Sequence, residues 1–197
     1  MALVRPLEED EFDPELLEFV QFFKGPLGVI PNSVRTMARR PRIARAFTEL
    51  NKAVMTCDGA VTPEFKRLIG YVTSYASGCR YCQAHTILGS QRFGSTEARL
   101  NDVWNFASSP HFSESEKAAL AFAQAAAQVP NAVDEQIAVE LHRHWTDEDI
   151  VEIMAVIALF GYLNRWNDSM GSALEDLPIE AGSKFLQQTG WTVGKHT

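Results

Sequence analysis

Two cysteines and a histidine stand close together in the middle of the chain, at Cys79, Cys82 and His85. Residues three apart on a helix have Cα atoms roughly 5 Å apart, which is within the range that a disulfide accepts. The pair can therefore exist as two thiols or as a bridge with little backbone movement. This spacing predicts redox chemistry, in which the two sulfurs exchange electrons with a substrate.

The two sulfurs differ in what is expected to activate them. Gly78 is predicted to end one helix, so that Cys79 lies at the N-terminus of the next, where the helix dipole and Arg80 favour a thiolate. His85 lies one turn beyond Cys82 and is positioned to act as its base. These effects favour different cysteines, and from the residues alone it stays open which one attacks.

A zinc site is one alternative for a Cys-x-x-C pair, because thiolates are zinc ligands and two more ligands would complete the site. The candidates for those ligands are His85, His111, His142 and His144. A pair of buried structural cysteines is another alternative. Cys57, beside Asp58 in a predicted turn, is interpreted as a passive thiol. We favour the redox pair and predict no metal, because a zinc site usually takes its other ligands from a second cysteine pair. We also predict no cofactor, since no phosphate-cradling glycine loop follows a strand.

Helical periodicity dominates the sequence that must position these residues. The helix before the cysteines presents one apolar face, made of Phe65, Leu68, Ile69 and Val72. Thr62 and Pro63 are typical of the start of this helix, and Gly78 is typical of its end. A second helix is predicted from Cys79 to about Phe93, with Gly94 closing it.

Capping patterns predict further helices. Ser113 with Glu116, and Thr146 with Asp149, each form a capping-box pattern before an apolar segment. The predicted helices outside the cysteine region are Pro14 to Lys24, Ile43 to Thr56, an alanine-rich helix that stops near Pro130, and Ile150 to Trp166. Because no convincing run of alternating strand residues occurs, the sequence predicts an all-α fold.

The helix from Ile150 to Trp166 is apolar nearly all round, which predicts that it is surrounded on all sides. Either it is the central helix of the domain or a neighbouring subunit covers it, and both alternatives stay open. Its longest apolar run, Ile153 to Leu163, is too short to span a bilayer. We therefore expect association through apolar helical faces and no membrane partner.

The composition limits the function classes. The chain has 197 residues, of which 46% are hydrophobic and 22% charged, which predicts one domain with a sizeable core. A formal net charge of −7 argues against nucleic acid or an anionic membrane as a partner. The acidic N-terminus lacks the apolar region of a signal peptide, so we expect a reducing, cytoplasmic location. In such a compartment a close cysteine pair is more often catalytic or metal-binding than structural.

The segment Ser77 to Thr86, within Thr62 to Gly94, resembles the alkylhydroperoxidase D-like proteins of the carboxymuconolactone decarboxylase family. The segment Phe160 to Asp168 is similar to a later helix of the peroxidase-related branch of that family. The resemblance covers residues 41–171, which implies a family-like core in a single domain, 1–197, with helical or extended arms at 1–40 and 172–197. It implies an alkylhydroperoxidase D-like helical bundle that forms homo-oligomers, as trimers or hexamers.

The resemblance also implies roles for the site residues. In the redox members, the cysteine matching Cys82 attacks a peroxide, the one matching Cys79 resolves it as a disulfide, and a disulfide-reducing partner recycles the pair. A histidine on the same helix and an upstream glutamate relay protons. The family histidine commonly lies four residues after the second cysteine, whereas His85 lies three after. The family glutamate is replaced by Arg67, and Glu64, one turn earlier, is the candidate substitute.

Three functions follow as hypotheses. The first is a thiol-dependent peroxidase or disulfide oxidoreductase that uses Cys79, Cys82 and His85 on a peroxide or other small molecule, with a thiol or disulfide-reducing electron donor. The second is a carboxymuconolactone decarboxylase-like lyase, which the cysteine pair argues against because that chemistry needs no dithiol. The third is a non-enzymatic oligomeric protein for redox sensing or binding. We favour the first.

Overall fold

The computed structural model describes residues 2–56 and 59–197, so that Cys57 and Asp58 with their predicted turn lie outside it. The described residues form helices and no strands, which confirms the all-α prediction. The helices are α1 (Pro14–Val20), α2 (Lys24–Leu27), α3 (Asn32–Met37), α4 (Pro41–Met55), α5 (Pro63–Ala76), α6 (Arg80–Arg92), α7 (Glu97–Asp102), α8 (Glu114–Ala126), α9 (Glu135–His144), α10 (Asp147–Met170) and α11 (Asp176–Phe185).

Side-chain caps start three helices where the sequence predicts them. The Thr62 hydroxyl accepts a hydrogen bond from the backbone N–H of Phe65 at the start of α5. Capping boxes are closed at the starts of α8 and α10, where the cap side chain and the third helical residue bond reciprocally to backbone N–H groups. These local signals confirm the predicted helix starts.

Several predicted boundaries are wrong. The helix predicted from Pro14 to Lys24 is interrupted, because Gly25 and Pro26 disfavour a continuous α-helix and a 3-10 turn separates α1 from α2. The alanine-rich helix ends at Ala126, before Pro130. In the other direction, α10 continues beyond Trp166 until Gly171 closes it at φ +61°.

The turn between α5 and α6 places the cysteines. Gly78 has φ +74°, a left-handed conformation that side chains other than glycine rarely adopt, and it directs the chain from one helix into the next. Cys79 then takes the extended backbone of an N-cap residue, with φ −84° and ψ 101°. The prediction that Cys79 lies at a helix N-terminus is confirmed.

Other helices cover the long helix α10 on one side only. It packs against α4, α5, α6 and α8, and buries Ile153, Val156, Ile157, Leu159, Phe160 and Leu163. The close approach to α5 depends on Gly70, where a Cβ atom would lie 2.5 Å from the Phe160 ring. On the other side, Val151, Met154 and Tyr162 are exposed, so part of the apolar surface is uncovered in the single chain.

The two ends of the chain pack around the cysteine helix. Helices α2 and α11 contact α6, and the C-terminal arm follows the same surface. The Trp191 indole N–H donates to the Arg80 carbonyl at 3.1 Å, and the Leu174 N–H donates to the His196 carbonyl at 2.8 Å. Within residues 2–56 and 59–197, no helix is long and apolar enough to cross a membrane.

Candidate active site

Cys79 and Cys82 are both free thiols within the protein core. No part of Cys79 is exposed, and only 2% of Cys82 is. Cys79 is the N-cap of α6 and Cys82 lies in the first turn, and a hydrogen bond joins their side chains. The structure therefore brings the predicted pair together, with the two side chains in hydrogen-bond contact.

The pKa values of the two thiols are shifted in opposite directions. The hydrogen bond with Cys82 lowers the pKa of the Cys79 thiol below its ordinary value of 9.0. Burial raises the pKa of the Cys82 thiol well above that value, and the hydrogen bond with Cys79 raises it further. In the resting dithiol the first negative charge therefore lies on Cys79, the position that the helix dipole also favours.

His85 is bound to a carboxylate from a distant part of the chain. Its Nε2 atom lies 2.7 Å from Oε2 of Glu175, the N-cap residue of α11, and both side chains are nearly buried. At this distance the carboxylate accepts the Nε2 proton, so that a neutral His85 carries its lone pair on Nδ1. No described residue bonds to Nδ1, and this atom is available as a base.

A second set of contacts fixes the Glu175 carboxylate. Its Oε1 atom accepts a hydrogen bond from the Tyr81 hydroxyl at 2.9 Å and another from the backbone N–H of Asn32. Burial by itself would raise the pKa of Glu175, but the attraction and hydrogen bond of His85 and the Asn32 backbone N–H lower it below its ordinary value of 4.5. Glu175 therefore stays ionised at neutral pH and orients His85.

One apolar pocket of about 80 Å³ meets Cys82 and His85 but not Cys79. Its apolar wall includes Phe22, Phe23, Phe47, Met55, Phe160 and Leu163. The polar residues Asn51, Arg67 and Asn167 also line it. A small molecule in this pocket would meet the sulfur of Cys82 and the ring of His85 together.

Asn167, from α10, supports the sulfur of Cys82. Its Nδ2 atom donates a hydrogen bond to the Cys82 sulfur at 3.4 Å, and this contact lowers the pKa of that thiol against the effect of burial. A donor aimed at the sulfur stabilises the thiolate more than the thiol. Asn167 belongs to the segment for which a family resemblance is noted above, but sequence reasoning gave it no role.

The acid beside His85 was not found from the sequence. Glu64, the candidate substitute, bonds instead to the Ser95 hydroxyl at 2.5 Å and to Arg99 at 3.2 Å. Glu175 lies 90 residues after His85 and beyond the 41–171 segment, so no local pattern links the two. The one available signal was an acidic residue directly before a helix start in the C-terminal arm.

The geometry does not support the zinc alternative. In the described part of the chain, no three His, Cys, Asp or Glu side chains form a group that could hold a metal ion. His111 is exposed, His142 faces Asp147 at 3.7 Å, and His144 faces Glu140 at 3.2 Å, so none of them joins the cysteines.

Comparison with known proteins identifies the relatives of this chain. The model of the carboxymuconolactone decarboxylase family matches residues 41–125. The debrominase Bmp8 is 33% identical, covers 94% of this chain and 98% of its own, and superposes with a TM-score of 0.88. A variant of Bmp8 solved with 2,3,4-tribromopyrrole is 32% identical.

Two further relatives are similar at a lower identity or over a shorter length. A peroxidase-related alkylhydroperoxidase AhpD core from Ralstonia eutropha JMP134 is 26% identical, covers 94% of this chain and 95% of its own, and has a TM-score of 0.79. YnjA of Escherichia coli (strain K12) is 32% identical over 103 residues, which span 52% of this chain and only 53% of that protein. The chain belongs to the carboxymuconolactone decarboxylase family and has its alkylhydroperoxidase D-like fold.

Proposed function

We propose that this protein is a dithiol oxidoreductase that reduces a small electrophile, in the first place a peroxide, with Cys79 and Cys82. The observation that carries the proposal is that Cys82 shares one apolar pocket with His85, whose ring is held by Glu175 with Nδ1 unbonded. A thiol beside a base, with a second thiol in contact, is the arrangement that a two-electron reduction needs.

We assign the attack to Cys82, although the resting charge favours Cys79. A substrate in the pocket meets Cys82 and not Cys79. Two groups can accept the Cys82 proton. One is Nδ1 of His85, one turn along α6, and the other is the Cys79 thiolate, through the hydrogen bond between the two side chains. Asn167 then stabilises the thiolate that forms. Cys79 is left as the resolving thiol.

With a hydroperoxide, the Cys82 thiolate attacks the terminal oxygen and the O–O bond breaks. Cys82 becomes a sulfenic acid, and the departing alkoxide takes the proton from His85 and leaves as an alcohol. The Cys79 thiolate then attacks the sulfenic sulfur, forms the disulfide and releases water after protonation. Two electrons pass from the dithiol to the peroxide.

A thiol or disulfide-reducing donor must return these two electrons. Its thiolate attacks one sulfur of the Cys79–Cys82 bridge, and a second thiol of the donor completes the exchange. Because both cysteines are buried, a small thiol that enters the pocket reaches Cys82 more directly than a protein does.

Reductive dehalogenation is a second candidate. It is favoured by the similarity to the debrominase Bmp8 across 94% of the chain and by the aromatic rings that line the pocket. In this reaction the Cys82 thiolate takes the halogen from a ring carbon, the carbon takes a proton, and Cys79 displaces halide as it forms the disulfide. The dithiol again supplies two electrons and needs the same kind of donor.

The test starts from a Cys57→Ser background, so that only two thiols remain. The reduced protein is mixed without oxygen with one equivalent of hydrogen peroxide, of cumene hydroperoxide or of a brominated pyrrole. We expect loss of both thiols and a Cys79–Cys82 disulfide in peptide mass spectra. Cumene hydroperoxide should release an equal amount of its alcohol and the brominated pyrrole an equal amount of bromide, whereas hydrogen peroxide gives only water. If no electrophile oxidises the pair faster than it oxidises free cysteine, the proposed function is wrong.

We further propose that the protein is a cytoplasmic homo-oligomer, a trimer or hexamer, joined through the exposed side of α10. The exposed apolar residues Val151, Met154 and Tyr162 on this helix support the proposal. Light scattering at micromolar concentration should give a mass above that of one chain, and Met154→Asp should lower it. A strict monomer would contradict the proposal.

A further inference from the structure

Arg67 is a buried cation at the wall of the pocket that also contains Cys82. It lies on α5, is only 6% exposed, and lines the pocket together with Gly89 of α6. A Cβ atom at position 89 would stand 2.9 Å from Cδ of Arg67, so the glycine makes the room in which the arginine lies across α6. The packing of α5 against α6 therefore leaves space for the Arg67 side chain at Gly89.

The partners of the Arg67 guanidinium are neutral. One N–H donates to the carbonyl of Pro63 at 2.5 Å, and the guanidinium carbon lies 3.5 Å from the centre of the Phe93 ring. Among the residues that the structure describes, no carboxylate pairs with it. A guanidinium carries five N–H donors in a planar fork, and most of these remain for a ligand.

Two acids that could have paired with Arg67, Glu64 one turn earlier on α5 and Glu175 beside His85, have other partners. Glu64 is bound by Ser95 and Arg99, and Glu175 is bound by His85 and Tyr81. Burial lowers the pKa of Arg67 to about 10, so that the side chain is still charged at neutral pH. A buried charge without a counter-ion is costly, and an anionic ligand would remove that cost.

We propose that Arg67 binds the anionic group, a carboxylate or an ionised hydroxyl, of a small aromatic substrate whose other end reaches Cys82. As a substrate assignment this rests on the proposed function. Gly89, which Arg67 crosses, lies seven residues beyond Cys82 on α6, or about 10 Å along the helix axis. One aromatic ring with a substituent at each end spans most of that distance.

The pocket is large enough to hold part of one aromatic ring. The volume is about 80 Å³, against ~150 Å³ for an engineered apolar cavity that binds benzene. The pocket is partly open to solvent, so that the ring need not be enclosed on every side. A larger polycyclic molecule would require Phe22, Phe47 or Met55 to move.

The test uses benzoate and benzamide, which have nearly the same shape and differ in charge. Binding is measured by titration calorimetry or ligand-observed NMR on the Cys79→Ser/Cys82→Ser double variant, so that no thiol chemistry intervenes. We expect benzoate to bind at least about tenfold more tightly than benzamide, as charge-assisted paired hydrogen bonds imply. In the Arg67→Met form this preference should disappear, and in the Arg67→Lys form it should persist in part.

The matched control is Arg143→Met, which removes the same charge from an exposed site on α9 and should leave the preference unchanged. A thermal melt of each variant reports whether it is folded. The inference is overturned if neither compound binds, if both bind equally, or if the Arg67→Met form still prefers benzoate. Thiols that react with peroxide in a protein without benzoate preference would refute this inference alone. Benzoate binding with inert cysteines would refute the proposed function, and Arg67 would then be an anion-binding residue without a substrate role.

Discussion

Two pairs of a nitrogen donor and a carboxylate lie buried or nearly buried between helices of this protein, and their N···O distances are nearly equal. In one, the Nζ atom of Lys66 on α5 lies 2.6 Å from the carboxylate of Glu152 on α10. In the other, Nε2 of His85 on α6 lies 2.7 Å from the carboxylate of Glu175 at α11. All four side chains are buried or nearly so.

The pairs differ in whether the nitrogen-bearing side chain still has a donor or acceptor atom available for a ligand. The Lys66 ammonium is fully enclosed, also donates to the Val54 carbonyl, and does not line the pocket. His85 keeps one ring nitrogen unbonded and lines the pocket with Cys82. Burial and charge pairing alone thus do not distinguish a structural contact from a catalytic one, whereas an unused donor or acceptor at a pocket wall does.

The largest effect on stability is expected for Lys66→Met, because this change leaves the Glu152 carboxylate nearly buried without its lysine. Loss of one partner of a buried pair should lower the free energy of unfolding by about 3–5 kcal/mol. Urea denaturation measures this change. The rate of thiol oxidation per folded molecule should stay the same, and a destabilisation below about 1 kcal/mol would mean that the pair is not structural.

Glu175→Gln should change the rate of thiol oxidation more than the stability. Without the carboxylate, the proton on Nε2 and the orientation of His85 are no longer fixed, so oxidation of Cys82 by peroxide should slow by about a hundredfold. Stopped-flow measurement of thiol loss gives the rate. Glu152→Gln is the matched control and should change stability more than rate. Equal rates for the two variants would remove the distinction between the pairs.

The smallest effect is expected in the pH dependence of stability. The pKa of Glu175 is lower in the folded protein than its ordinary value of 4.5. The carboxylate therefore stabilises the fold fully above pH 4.5, and this contribution is lost as the pH falls through the folded pKa. Denaturation midpoints below about pH 5 should fall more steeply for the wild type than for Glu175→Gln. Parallel curves would contradict this account.

The helix ends and the turn that position the cysteines can be predicted from short stretches of sequence. Gly78 predicts the turn that makes Cys79 an N-cap residue, and Thr62 predicts the start of the helix before it. These positions are set by backbone conformation and capping, which involve neighbours along the chain. The same local geometry brings Cys82 and His85 within one turn of each other.

Contacts between distant segments were not predictable in the same way. Glu175 reaches His85 because α11 packs on α6, and Glu64 is bound by Arg99, which lies 35 residues later on α7. The unequal pKa values of Cys79 and Cys82 depend on how deeply each thiol is buried and on the hydrogen bond between the two side chains. None of these follows from the periodicity of one helix.

The central claim is that Cys82 attacks and Cys79 resolves. In a Cys57→Ser background, Cys79→Ser and Cys82→Ser are each treated with peroxide, and sulfenic acid is trapped with a dimedone reagent and located by mass spectrometry. The account predicts a trapped sulfenic acid at Cys82 in the Cys79→Ser form, produced on the order of a hundredfold faster than free cysteine reacts. It predicts little reaction in the Cys82→Ser form. Fast reaction in the Cys82→Ser form with an inert Cys79→Ser form would contradict it.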